Sequence, residues 1–192
     1  MKTEYEATYI NVDKDEIRNR LRDAGAELVK PEFLQKRAVF NLPAGHEIDG
    51  GWLRVRDEQD RITMTLKVVD GNRIENQREI EMEISDFESG RSLLSAMGAT
   101  EKSYQENRRE LWSIDGVDVT IDEWPFLEPY VEIEGQSEDS VRAVSEKLGF
   151  DYDDAMFCSV GTIYAKKYGI DEDIINYRTP KIVFEMDNPF AG

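Results

Sequence analysis

Cysteine is nearly absent from this 192-residue chain. Cys158 stands alone, which excludes an internal disulfide framework and fits a reducing compartment where a buried thiol is inert. Histidine is as scarce, with only His46, so no His/Cys metal cluster can form. The Gly45-His46-Glu47 setting reads as a solvated loop histidine rather than a mobile acid or base. No apolar run approaches the ~20 residues of a membrane span, and no signal-peptide core follows Met1, so a soluble cytoplasmic protein is expected. No glycine-rich Walker-type phosphate loop occurs. Basic residues are in deficit, 24 against 41 acidic, for a net charge of −17, which argues against a nucleic-acid partner. A small polyanion held through metal ions is still compatible with that charge. With 40% hydrophobic and 10% aromatic residues, the chain is globular and long enough for a full core. One domain is expected over residues 1–170, with 171–192 an extension of no clear period.

Glu4 and Glu6 lie one residue apart in the opening strand, where alternation points both carboxylates at one face. The pattern returns in Arg54-Val55-Arg56, Glu79-Ile80-Glu81-Met82-Glu83 and Glu132-Ile133-Glu134. Strands charged on one face do not suit a buried parallel sheet, so antiparallel pairing is expected. Between the strands, Asn11 to Asp13 cap a helix to about Ala24, stopped by Gly25, and Asp86 to Met97 repeats the unit before Gly98. Phe87, Leu93, Leu94 and Met97 form its apolar stripe. Asp115-Gly116 marks a hairpin, Ser137 caps a helix to about Leu148, and Ser159 to Tyr168 reads as a short helix. Its Lys166 and Lys167 read as surface charges, and Trp124-Pro125-Phe126 as an apolar loop packed on the end of the sheet.

A single charged face is the ordinary state of a solvated sheet. Taken jointly, the aliphatic faces Leu53/Val55, Met64/Leu66/Val68 and Ile80/Met82/Ile84 need helices over them, which turns the charged faces inward. The result is an α+β fold, an antiparallel β-barrel with helices packed outside and a polar interior. Stacked carboxylates Glu4, Glu6, Glu81, Glu83, Asp122, Glu132 and Glu134 then call for a divalent cation, Mg²⁺ or Mn²⁺. Arg54, Arg56, Lys67 and Arg109 would hold what the metal brings, and a triphosphate fits both halves.

These residues carry a resemblance to the CYTH superfamily, the triphosphate tunnel metalloenzymes. The opening strand matches the family's E-x-E-x-K at Glu4 and Glu6, with Thr8 in the lysine position. Further matches are Leu53-Arg54-Val55-Arg56, Leu66-Lys67, Glu81-Met82-Glu83, Arg108-Arg109-Glu110-Leu111-Trp112, Val119-Thr120-Ile121-Asp122 and Tyr130 to Gly135, in order over Met1 to about Leu148. The resemblance implies a tunnel of about eight strands. It implies metal ligands Glu4, Glu6, Glu132 and Glu134, joined by Glu81, Glu83 or Asp122, and phosphate contacts from Arg54, Arg56, Lys67, Arg109 and Arg37. Glu4, Glu6, Arg56 and Lys67 would carry the chemistry. The implied activity is metal-dependent hydrolysis of inorganic triphosphate, thiamine triphosphate or ATP, or else cyclisation of ATP with loss of pyrophosphate. Thr8 offers a hydroxyl where the family has a cation, which also leaves room for a binding module without turnover. A homodimer is compatible with all three.

Overall fold

The computed structural model describes residues 1–191. Eight strands close into one antiparallel barrel in the order β1-β5-β4-β3-β2-β6-β7-β8. They are β1 (Lys2–Tyr9), β2 (Glu27–Asn41), β3 (Gly51–Asp57), β4 (Ile62–Val69), β5 (Gln77–Ile84), β6 (Thr100–Ile114), β7 (Val117–Glu123) and β8 (Tyr130–Gly135). Five helices surround it: α1 (Lys14–Asp23), α2 (Phe87–Ala96), α3 (Glu138–Lys147), α4 (Val160–Tyr168) and α5 (Glu172–Arg178). Closure comes from β2 against β6, each 15 residues long. These are the strands that follow the two capped helices, so the repeated strand–helix–glycine–strand units meet at the seam.

The local signals explain the elements. Asp13 accepts from the Glu16 amide at 2.9 Å and Asp86 from that of Ser89 at 2.7 Å, each satisfying an orphan N–H of a helix start. Asp115 and Gly116 both sit at positive φ, +53° and +77°, as a two-residue hairpin of matching twist requires. Between β1, β7 and β8 and the outer helices, Ala7, Tyr9, Val119, Ile121 and Ile133 pack on Ile17 and Leu21 of α1 and Val141 and Val144 of α3. Leu94 of α2 covers Ala38, Phe40 and Val55. Gly90 permits that approach, since a Cβ there would lie 2.5 Å from Ile84 Cδ1.

Two expectations need correction. Helices do not cover every outward aliphatic face: Ile80 and Met82 of β5 are 46% and 51% exposed. Nor does α2 bury its whole stripe, because Leu93 and Met97 face solvent while Leu94 and Gly90 make the contact. The extension of no clear period from residue 171 carries regular structure: α5 leads into β9 (Lys181–Ile182), which pairs parallel to β6 beside Tyr104 and Gln105. Ile175, Ile182 and Phe190 join Trp124, Leu127, Tyr130, Ile163 and Tyr164 in a third apolar cluster at one barrel end. The apolar reading of the Trp124 loop agrees with this packing. Among the described residues, no helix is long and apolar enough to cross a membrane.

Candidate functional site

Inward-facing side chains of the barrel enclose a cavity of about 1380 Å³. Its wall holds Glu4, Glu6, Glu81, Glu132 and Glu134, together with Arg37, Arg54, Arg56, Lys67 and Arg109. Strand register explains the grouping. Glu6 lies opposite Glu134 and Thr8 opposite Glu132 across the β1–β8 pair, while Arg37 lies opposite Arg56 across β2–β3. Carboxylates therefore line the β1–β8–β5 side, and guanidinium groups line β2, β3 and β6.

Lys67 joins the two halves. Its ammonium is 3.0 Å from Glu4 and 3.9 Å from Glu6. Burial opposes its charge, but Glu6 and Glu4 outweigh that and raise its pKa. Arg54 is held loosely, 3.8 Å from Glu81 and 4.0 Å from Glu79. Arg109 is clamped by Asp122 at 2.8 Å and Glu132 at 2.5 Å.

Arg37 differs from the others. It hydrogen-bonds the neutral amides of Gln35, at 3.0 Å, and Asn107, and lies over the Trp124 ring, 4.5 Å from its centroid. No carboxylate lies within ion-pair distance of it among the described residues. Burial, and then the charges of Arg54, Arg56 and Arg109, all disfavour its charged form. A guanidinium keeps its proton at neutral pH, so this site calls for an anion. The Nε groups of Arg37 and Arg54 are buried without a hydrogen-bond partner among the described residues, whereas that of Arg56 faces Glu58.

Two proposed metal ligands stand apart from the cavity wall. Glu83 is exposed at the end of β5, opposite Thr63, two residues beyond the last carboxylate of that strand to line the cavity. Asp122 is fully buried and already saturated: it accepts from Arg109, from Asn107 at 2.6 Å and from Thr120 at 2.8 Å. Its placement suits the positioning of Arg109. Thr8 is buried on the same face of β1 as Glu4 and Glu6, opposite Glu132, its backbone paired with Met156. His46 is exposed in its loop, and Lys167 bonds Glu128 on the surface.

Sequence reasoning passed over two carboxylates as site residues, Glu79 and Glu58. Glu79 shares its carboxyl with Glu4, and burial together with that contact pushes it up to about 8, whereas Glu4 beside Lys67 stays ionised. Glu58 contacts Arg56 at 2.5 Å and Arg61 at 2.6 Å, a carboxylate holding two cations at the β3–β4 turn. Alternation carried one step further, Arg54-x-Arg56-x-Glu58, contained that signal.

Among the described residues, no three carboxylates converge into a ready-made ligand set. The donor chemistry nevertheless fits a hard divalent cation. Glu4, Glu6, Glu132 and Glu134 are all-oxygen donors, and Lys67 is a positive charge already standing among them. Burial, then like-charge crowding, raises Glu132 to about 7, and burial also raises Glu6 and Glu134. These carboxyls hold protons in the folded state that the unfolded chain releases at lower pH. The contribution of these groups, with Glu79, to the stability of the metal-free protein is therefore fully present below the ordinary carboxyl range and is lost as pH rises through about 7 to 8, where Glu132 and Glu79 ionise. Thermal melts between pH 5 and 8.5 should show that fall, and Mg²⁺ should raise Tm more at the alkaline end; a metal shift independent of pH would contradict this.

The fold recurs in solved structures. A structure from Vibrio parahaemolyticus described as a putative adenylate cyclase matches with a TM-score of 0.73 at 15% identity, covering 85% of this chain and 98% of that one. A putative adenylyl cyclase from Hippeastrum, described as having a dominant triphosphatase activity, matches with a TM-score of 0.54 at 14% identity, covering 88% and 96%. In sequence, the chain is 27% identical over 137 residues to a Methanocaldococcus jannaschii protein named a putative adenylate cyclase, covering 70% of this chain and 75% of the relative. The family model of the CYTH domain matches residues 2–156, the whole barrel with α1 to α3, and the chain belongs to that family.

Proposed function

We propose that the tunnel binds a triphosphate with a divalent cation, Mg²⁺ or Mn²⁺, and hydrolyses a phosphoanhydride bond of it. The observation that carries this reading is the pair of buried guanidinium Nε groups on Arg37 and Arg54 with no hydrogen-bond partner among the described residues, facing the same cavity as the carboxylates of β1 and β8. Phosphate oxygens are the acceptors those forks match. Glu4, Glu6, Glu132 and Glu134 would hold the cation, which when bound supplies Lewis-acid polarisation of phosphoryl oxygens. Arg37, Arg54 and Arg56 orient the chain of phosphates and stabilise charge on the leaving group. Lys67 supplies a cation beside Glu4, as the family lysine at the Thr8 position would.

Cyclisation of ATP is the second reading, favoured by the name of the Methanocaldococcus relative. Incubation with Mg²⁺ or Mn²⁺ and tripolyphosphate, thiamine triphosphate or ATP separates the readings. Orthophosphate supports the hydrolase, and cyclic AMP with pyrophosphate the cyclase. Tight metal-dependent binding without products would leave a binding module. Thr8 tests that last reading. Because Thr8 is buried and its backbone is paired with Met156, Thr8→Lys is expected to lower Tm and leave turnover within about twofold. A tenfold gain in turnover, about 1.4 kcal/mol of barrier, would mean the natural protein is attenuated there.

A further inference from the structure

The arginine side of the cavity carries a buried carboxylate of its own. Glu58 continues the inward series of Arg54 and Arg56 one step past the end of β3, and it is buried in the cavity wall. Its Oε1 lies 2.5 Å from Arg56 Nε, and its Oε2 accepts from Arg61 Nε at 2.6 Å. The backbone beneath it is pinned. The Glu58 amide donates to the Arg61 carbonyl at 2.9 Å, and the Glu58 carbonyl accepts from Lys30 of β2 at 2.5 Å. Lys30 also bonds Asp60 and lies over the Phe33 ring, which ties the β3–β4 turn to β2. Burial opposes the charge of Glu58, but Arg56 and then Arg61 outweigh it and hold its pKa below the usual carboxylate range.

This contact differs from that of Asp122 with Arg109. Asp122 is saturated by hydrogen bonds from Arg109, Asn107 and Thr120, whereas Glu58 Oε1 and Arg56 Nε meet by charge alone, neither in a hydrogen bond among the described residues. An ion pair lacking the hydrogen bond is the weaker hold. Arg61, the second cation, is 49% exposed where the turn borders the cavity. A carboxylate facing two guanidinium groups stands where a phosphate would stand on them, and its charge repels a polyanion inside a wall of low dielectric. We infer that Glu58 is a built-in counter-anion: it holds Arg56 and Arg61 in the absence of ligand and competes with phosphate for them, limiting how tightly the tunnel binds a triphosphate. The inference rests on the triphosphate reading above and adds the residue that sets the affinity of that site. Without Glu58, Arg56 would keep only Glu81, at 3.3 Å, so the same carboxylate that weakens binding stabilises the ligand-free barrel.

Calorimetric titration with tripolyphosphate in the presence of Mg²⁺, on the unaltered protein and on Glu58→Gln, tests this. The substitution keeps the size of the side chain and removes its charge. It should tighten tripolyphosphate at least about tenfold while lowering Tm in the absence of ligand. A purely structural residue would lower Tm with no gain in affinity, so equal or weaker binding by the variant overturns the inference and leaves the triphosphate reading standing. The unaltered protein supplies an independent check should the variant fold poorly. On saturation with tripolyphosphate and Mg²⁺, the NMR signal of the Arg61 Nε–H should shift as its bond to Glu58 gives way. An Arg61 signal unchanged at saturation would overturn the inference equally. If tripolyphosphate binds neither protein, the underlying reading falls and takes the inference with it.

Discussion

Replacing Asp122 by alanine should lower the stability of the metal-free protein by about 3–5 kcal/mol, the cost of removing one partner of a buried ion pair. Asp122 is wholly buried and accepts from three side chains, Arg109, Asn107 and Thr120. Its loss leaves a guanidinium in the barrel wall with only Glu132 in contact and strips Asn107 of its acceptor. Asn107 also receives Arg37, so the change should spread through Asn107 to the anion-binding side of the cavity. Urea denaturation checks the magnitude. Asp122→Asn keeps a carbonyl acceptor and should recover part of the loss. A change under about 1 kcal/mol for the alanine variant would mean that Asp122 is not the anchor its contacts imply.

Arg37→Met should have the opposite signature, weakening triphosphate binding by about 100-fold, on the order of 3 kcal/mol, without loss of stability. Arg37 is buried with no carboxylate partner, and its neighbours Arg54, Arg56 and Arg109 repel it. In the absence of ligand its charge destabilises the fold, so an apolar side chain of similar length should be neutral or stabilising by melting temperature. Calorimetry with tripolyphosphate supplies the other half of the test. Arg56→Glu should abolish binding altogether, since it sets a third carboxylate beside Glu58 and Glu81. Unchanged affinity in Arg37→Met would assign that residue to packing against Trp124 alone.

Strand alternation was enough to place Glu4, Glu6, Arg54, Arg56, Lys67, Glu132 and Glu134 on faces that converge, because the period of two is independent of tertiary context. It could not rank residues along a face. Glu79, Glu81 and Glu83 share one side of β5, but strand tilt decides which of them reach the cavity, and the exposed Glu83 is the one that does not. Alternation was equally blind to saturation: Asp118, Thr120 and Asp122 read alike in sequence, and only the packed barrel shows that Asp122 is consumed by three donors. The β2–β6 closure was beyond local signals, since pairing of such distant strands leaves no mark in either one. The final segment was opaque for a related reason. A two-residue strand such as β9 has no period, and α5 is fixed by tertiary contacts of Ile175 rather than by a strong stripe of its own.

The central claim is that one cavity joins a carboxylate cation site to an arginine anion site. Calorimetric titration of the protein with tripolyphosphate, in the presence and absence of Mg²⁺, measures that union most directly. One saturable site per chain is predicted, tightened at least about tenfold by the metal, because each ion offsets repulsion on the other's side of the cavity. Absence of binding in both conditions, or identical binding with and without metal, would contradict the claim.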